Sequence, residues 1–109
     1  MTSTFDVVGD PTRRRILDLL REGPRPVGEL VRLTGCSQPG TSKHLRVLRD
    51  AGLVAVRPEA QRRLYVLRPQ PLAEIDAWLA PYRELWANRL DALEQLLDGT
   101  APRPLTRED

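Results

Sequence analysis

The chain has 109 residues, enough for one domain and too few for a second. Hydrophobic residues make up 40% and charged residues of both signs 29%, a globular composition that excludes an intrinsically disordered chain. The formal net charge of +2 conceals a division: residues 1–68 carry 13 basic and 7 acidic side chains, whereas residues 69–109 carry 4 and 8. A basic segment joined to an acidic one suggests a face for a polyanion and a second face with another task.

Met1 to Asp10 lacks the basic end and apolar run of a signal peptide, and a short helix is expected around Thr4 to Val8. No apolar stretch approaches the roughly 18 residues needed to span a bilayer, so membrane and secreted readings are set aside. "GDPTRRRILDLLREGP" describes a complete helix. Asp10 caps it, Pro11 occupies N1 where a missing N–H costs nothing, and Gly23-Pro24 stop it. Ile16, Leu17, Leu19 and Leu20 form its apolar stripe. A second helix covers Val27 to Thr34, with Gly35 just beyond its end.

"CSQPGTSKHLRVLRDAGLV" predicts a third helix capped by Ser37 and ended by Gly52, with Gln38, Pro39 and Gly40 in its first turn. Thr41, Leu45 and Leu48 share a face that must be buried, and Pro39, Lys43, Arg46 and Asp50 point the opposite way. Gly40 costs this helix up to about 1 kcal/mol relative to alanine, so its presence asks for a reason. Leu53 to Pro58 and Arg62 to Leu67 are predicted strands of a hairpin whose connection, Glu59-Ala60-Gln61, is flanked by Arg57, Arg62 and Arg63. "RPQPL" interrupts the chain, and helical spacing resumes from Pro71 to Leu97. Trp78, Tyr82, Leu85, Trp86, Leu90, Leu93 and Leu97 recur along one face. Pro81 predicts a break or kink, and so two terminal helices. From Gly99 a flexible tail, residues 99–109, is expected.

Helices followed by a short turn at Gly35-Cys36, another helix and a basic hairpin describe a winged helix-turn-helix: mainly helical, with a small β-hairpin wing. The stretch "DPTRRRILDLLREGPRPVGELVRLTGCSQPGTSKHLRVLRDAGLVAVRPEAQRRLYVLRP" resembles the ArsR family of bacterial winged-helix repressors. Its continuation "PLAEIDAWLAPYRELWANRLDALEQLL" is similar to a subgroup without recognisable metal sites. The resemblance runs from about Phe5 to Leu97. It rests on "DPTRRRIL", "SKHLRVLRDAGLV" and "RRLYVL" occurring in that order.

The resemblance implies a cytoplasmic homodimer that binds a near-palindromic operator in double-stranded DNA and represses transcription until a signal releases it. One domain over 1–98 is then expected, with a DNA-binding core at 11–68 and dimerisation helices at 71–97. The helix from Ser37 to Ala51 has the dimensions of the major groove, with its N-terminal residues at the base edges. Gln38 carries an amide that pairs bidentately with adenine, and Lys43 reaches guanine or a phosphate. Ser37, Thr41 and Ser42 are short donors, and Gly40 lets the DNA backbone approach. Pro39, His44 and Arg46 complete the set on the helix, and Arg62 and Arg63 on the wing reach phosphates or the minor groove. Pro39 could equally do no more than set the start of the helix, and Arg46 and Arg49 be ordinary solvated charges.

Members of such a family sense metals through cysteines before the recognition helix, or through histidines and carboxylates on the last helix. Here Val27 to Thr34 contains no Cys or His. Glu74, Asp76, Glu84, Asp91 and Glu94 stand without imidazole or thiolate beside Arg83 and Arg89, so neither a metal nor any cofactor is expected. Cys36, the single cysteine, excludes an intramolecular disulfide. It is either a small packed residue or a redox sensor. His44 is read as a phosphate contact or a capping group. The aromatic stripe, with Phe5, reads as a dimer seam, or as a small-molecule effector pocket at that seam.

Catalysis would need a nucleophile–base pair or paired carboxylates in a cleft, and the one histidine lies on the helix assigned to DNA, so an enzyme is not expected. A protein-interaction module that has lost operator binding is the rival, and Gln38, Lys43, Arg62 and Arg63 argue against it.

Overall fold

The computed structural model describes residues 3–99; the expected tail from residue 100 onward lies outside the described residues. Local capping chemistry sets the helix boundaries. Helix α1 (Thr4–Val8) begins where Ser3 Oγ accepts the N–H of Asp6 at 3.1 Å. Helix α2 (Pro11–Arg21) begins where Asp10 Oδ2 accepts the N–H of Arg13 at 3.0 Å, with Pro11 in the first turn. Helix α3 (Val27–Thr34) is closed by Gly35, whose φ of 75° is a left-handed cap that suits glycine. Helix α4 (Gln38–Asp50) starts where Ser37 Oγ accepts the N–H of Gly40 at 3.1 Å.

After α4 the Leu53 N–H returns to the Leu48 carbonyl at 2.9 Å, so strand β1 (Val54–Glu59) begins one residue later than the sequence predicts. Strand β2 (Arg62–Leu67) pairs with it antiparallel, from Val54 opposite Leu67 to Glu59 opposite Arg62. That register leaves a two-residue turn, Ala60-Gln61, in place of the expected three. Ala60 adopts a φ of 55°, a region that costs a residue with a Cβ. Arg25 adds an isolated antiparallel bridge to Tyr65, with N–H to carbonyl distances of 3.1 and 2.8 Å. Its side chain donates to the Leu19 carbonyl at 3.1 Å and pairs with Glu22 and Glu29, so one residue ties the end of α2 and the start of α3 to the wing.

The chain divides into two compact units, one ending at Ile75 and the other beginning at Asp76. The core of the first is Val7, Ile16, Leu17, Leu19, Leu20, Leu30, Leu45, Leu48, Leu53 and Val54. Every helix from α1 to α4 contributes, which fixes α4 against α2 and α3 while its other side stays in solvent.

After a 3-10 turn at Gln70–Leu72 comes helix α5 (Ala73–Leu97), which makes up the described part of the second unit from Asp76 on. Of the break or kink expected at Pro81, the break is absent: Pro81 lies inside one continuous helix, so there is one terminal helix and not two. Proline removes the N–H that would bond the Ala77 carbonyl, at a cost of about 3 kcal/mol or more in a helix interior. Arg83 spans that weakened turn, donating from Nη1 to Asp76 Oδ1 at 2.8 Å and from Nη2 to the Asp76 carbonyl at 3.4 Å.

Candidate nucleic-acid interface

Helix α4 presents two different surfaces. Thr41, Leu45 and Leu48 face the core and are fully buried or nearly so. Ser37, Gln38, Pro39, Ser42, Lys43 and Arg46 are exposed, as are Arg49 and Asp50. The structure therefore removes Thr41 from the contact set: its 0% exposure leaves no route to a base or phosphate, and its hydroxyl has no hydrogen-bond partner. Gly40 is half-buried, and a Cβ there would lie 3.1 Å from Ser37 Oγ. The glycine thus spares the capping hydroxyl from crowding, a local reason that sequence reading did not supply.

His44 is also set apart from the outward row. It is half-buried, and Arg13 Nε donates to its Nδ1 at 3.2 Å, linking α4 to α2. The expected capping role is not seen; its imidazole bonds to α2. Asp10, next to this link, has its carboxyl held below the usual range, first by the Arg13 N–H and further by the positive charge of Arg13.

Some arginines are occupied within the fold, and others, Arg15, Arg21, Arg32, Arg57, Arg68 and Arg89 among them, make no ion pair among the described residues. Arg13 and Arg14 donate to the Val7 and Val8 carbonyls, and Arg25 and Arg83 are held in ion pairs. Lys43, Arg46, Arg49 and Arg63 make no ion pair among the described residues. Arg62 pairs with Glu59 across the wing tip at 3.4 Å, both side chains more than half exposed. Such a solvated pair is worth at most about 1 kcal/mol, so Arg62 exchanges it readily for a phosphate. The N-terminal end of the α4 dipole adds a partial positive charge of its own. The α4 surface and the wing tip are thus two cationic elements joined by the short link from Leu48 to Val54.

The sequence profile described as "Bacterial regulatory protein, arsR family" matches residues 10–56, the stretch from the α2 cap into β1. The HTH-type transcriptional regulator Rv2034 of Mycobacterium tuberculosis is 40% identical over 95 residues, covering 87% of this chain and 86% of that protein. This chain belongs to the ArsR family of bacterial regulatory proteins. Its fold is accordingly the DNA-binding winged helix-turn-helix of transcriptional regulators, in which α3 and α4 form the helix-turn-helix and β1–β2 the wing. The transcriptional repressor SdpR of Bacillus subtilis is 33% identical over 79 residues, covering 72% of this chain and 88% of that one. Among solved structures, the homodimeric winged helix-turn-helix DNA-binding domain Mb0332 of Mycobacterium bovis, described as a possible ArsR-family regulator, matches with a TM-score of 0.57. It is 29% identical and covers 72% of each chain.

The residues expected at a dimer seam are exposed. Trp78 is 54% accessible, Trp86 53% and Leu97 77%, with Tyr82, Leu85, Leu90 and Leu93 similar, and no residue of α5 is buried. Trp78 and Tyr82 are stacked obliquely, with centroids 5.1 Å apart. Leu96, three residues beyond Leu93, joins this set; its spacing could have found it. Phe5 on α1 is 39% exposed. Cys36, expected to pack or to react, is half-buried in the turn, its N–H donating to Thr34 Oγ1 at 3.3 Å. Among the described residues, no three His, Cys, Asp or Glu side chains form a metal-binding group, and no helix is long and apolar enough to cross a membrane.

Proposed function

We propose that this ArsR-family protein is a cytoplasmic homodimeric repressor that binds a near-palindromic operator. Residues 11–68 form the DNA-binding core and 71–97 the dimerisation segment. It acts by binding and not by catalysis. The observation that carries the reading is the exposed cationic surface of α4 and the wing, where Lys43, Arg46, Arg49 and Arg63 make no ion pair among the described residues and Arg62 makes only a solvated one. Gln38 reads a base edge in the major groove, Lys43 reaches guanine or a phosphate, and Ser37, Ser42 and Arg46 hold phosphates. Pro39 and Gly40 allow close approach, and Arg62 and Arg63 grip the flanking backbone or minor groove. The repressor assignment draws on SdpR, and the dimer on the homodimeric relative together with the exposed aromatic stripe of α5. In the dimer that stripe, with Phe5 as a further contact, is covered by a second copy of the chain.

The test is the triple variant Lys43→Ala, Arg62→Ala, Arg63→Ala. Removing three cations from the DNA face is expected to weaken duplex binding by at least about a hundredfold. The log–log salt dependence should flatten by about 0.9 for each phosphate that is no longer neutralised. The sedimentation profile should be unchanged. Wild-type affinity in the variant would remove this face as the DNA site, and no salt-sensitive binding by the wild type would favour an interaction module.

A further inference from the structure

Among the described residues, His44 has one hydrogen-bond partner, Arg13, whose Nε donates to Nδ1 at 3.2 Å. A guanidinium offers donors only and keeps its proton, so Nδ1 must be the lone-pair nitrogen of the ring. The neutral imidazole then carries its hydrogen on Nε2. Arg13 is itself held in place. Its Nη1 donates to the Val7 carbonyl at 3.2 Å, and its backbone N–H is taken by Asp10. Arg13 is half-buried, and its side chain joins α2 to α1 and α4 through its bonds to Val7 and His44. Nε2 of His44 meets no acceptor among the described residues, although the ring is half-buried on the helix assigned to the groove. Nε2 is not one of the buried polar atoms without a partner, so its N–H is open to solvent, and in a complex a phosphate oxygen can take the place of water there.

We infer that Arg13 is a positioning residue for DNA binding: it fixes His44 as the Nε2–H tautomer and so presents that N–H to a phosphate of the bound duplex. This rests on the DNA-binding reading above. His44 lies in the half-buried row with Gly40 and Val47, off the outward row of Pro39, Lys43 and Arg46, so its contact is with the backbone and carries no base information. The donor is uncharged, so it adds affinity without displacing a counter-ion. That property separates it from Lys43, whose removal must change the salt slope.

The experiment uses the full chain at pH 8, where an ordinary imidazole is neutral, and a random-sequence duplex about three helical turns long. Nitrogen-15 spectra of the free protein should show His44 only as the Nε2–H form, and the Arg13→Met variant should show a mixture of tautomers. His44→Phe and Arg13→Met should each weaken binding about tenfold at every salt concentration with the salt slope unchanged. The double variant should bind no more weakly than His44→Phe. His44→Gln, whose Oε1 can accept from Arg13 while its amide donates outward, should recover most of the affinity. If Arg13→Met fails to fold, the wild-type spectrum and the contrast between His44→Phe and His44→Gln carry the test. An Nδ1–H tautomer in the wild type overturns the inference. So does full affinity in His44→Phe under conditions where Lys43→Ala weakens binding and flattens its slope. If Lys43→Ala is also silent, the DNA-binding reading itself fails and this inference with it.

Discussion

Helices α4 and α5 both carry apolar side chains at intervals of three and four residues, yet they use them in opposite ways. In α4, Thr41, Leu45 and Leu48 are sealed into a core to which four helices and the wing contribute. In α5, two tryptophans, a tyrosine and five leucines are exposed and nothing is buried. The same periodicity therefore says only that a stripe has to be covered. Whether the cover comes from the chain itself or from another molecule depends on how much chain is left to provide it, and a domain this small has little. The division matches the charge: the buried stripe of α4 backs a cationic surface, and the exposed stripe of α5 belongs to the acidic part of the sequence.

Substitutions in the two stripes should have effects of different kinds. Leu48→Ala opens a cavity in a closed core and is expected to lower stability by about 3 kcal/mol, read as a fall in the urea midpoint. A variant as stable as the wild type would mean that the α4 stripe is not the core. Trp86→Ala should leave the unfolding of the isolated monomer unaltered and raise the dimer dissociation constant by about thirtyfold, the effect of removing a central aromatic anchor. Sedimentation at micromolar concentration reads this directly, and an unaltered profile would count against α5 as the seam.

Two smaller effects sharpen the first half of the contrast. Asp10→Ala removes the α2 cap and should cost about 1 kcal/mol at neutral pH. Because folding lowers the pKa of Asp10, its contribution is complete above the unfolded value of 3.8 and is lost as the pH falls through the lower folded value. The variant and wild type should then converge in strong acid; a cost independent of pH would show that the carboxylate's charge plays no part. Thr41→Val replaces a buried hydroxyl without a partner by a methyl group of similar shape. A gain of some tenths to about 1 kcal/mol is expected, and a decrease in stability would reveal a partner for Thr41 Oγ1.

The features legible in the sequence are those encoded within a few neighbouring residues. The caps at Asp10 and Ser37, the stop at Gly35 and the run of β-formers in β2 are local, and the bounds of α2, α3 and β2 follow from them. The features that escape it depend on partners distant in the chain or on side-chain reach. Arg25 reads as a loop cation between two prolines, and only the fold brings its backbone to Tyr65. Pro81 reads as a helix breaker on local propensity, yet the helix runs through it. Ala60 takes a left-handed φ because the register leaves two residues to turn the wing, whatever their propensity.

At the site, Lys43 and Arg46 are legible as the outward face of an amphipathic helix. Thr41 can be assigned to either role until its burial is known. His44 requires the position of Arg13, 31 residues earlier.

Operator recognition by a dimer is tested most directly by selecting bound duplexes from a random DNA library, with the full chain in reducing buffer and without added metal. The expected result is enrichment of a near-palindrome whose half-sites lie about one helical turn apart, the spacing of two recognition helices related by a dimer axis. Enrichment of a single half-site would contradict the dimer, and recovery of no sequence preference would contradict operator recognition by α4.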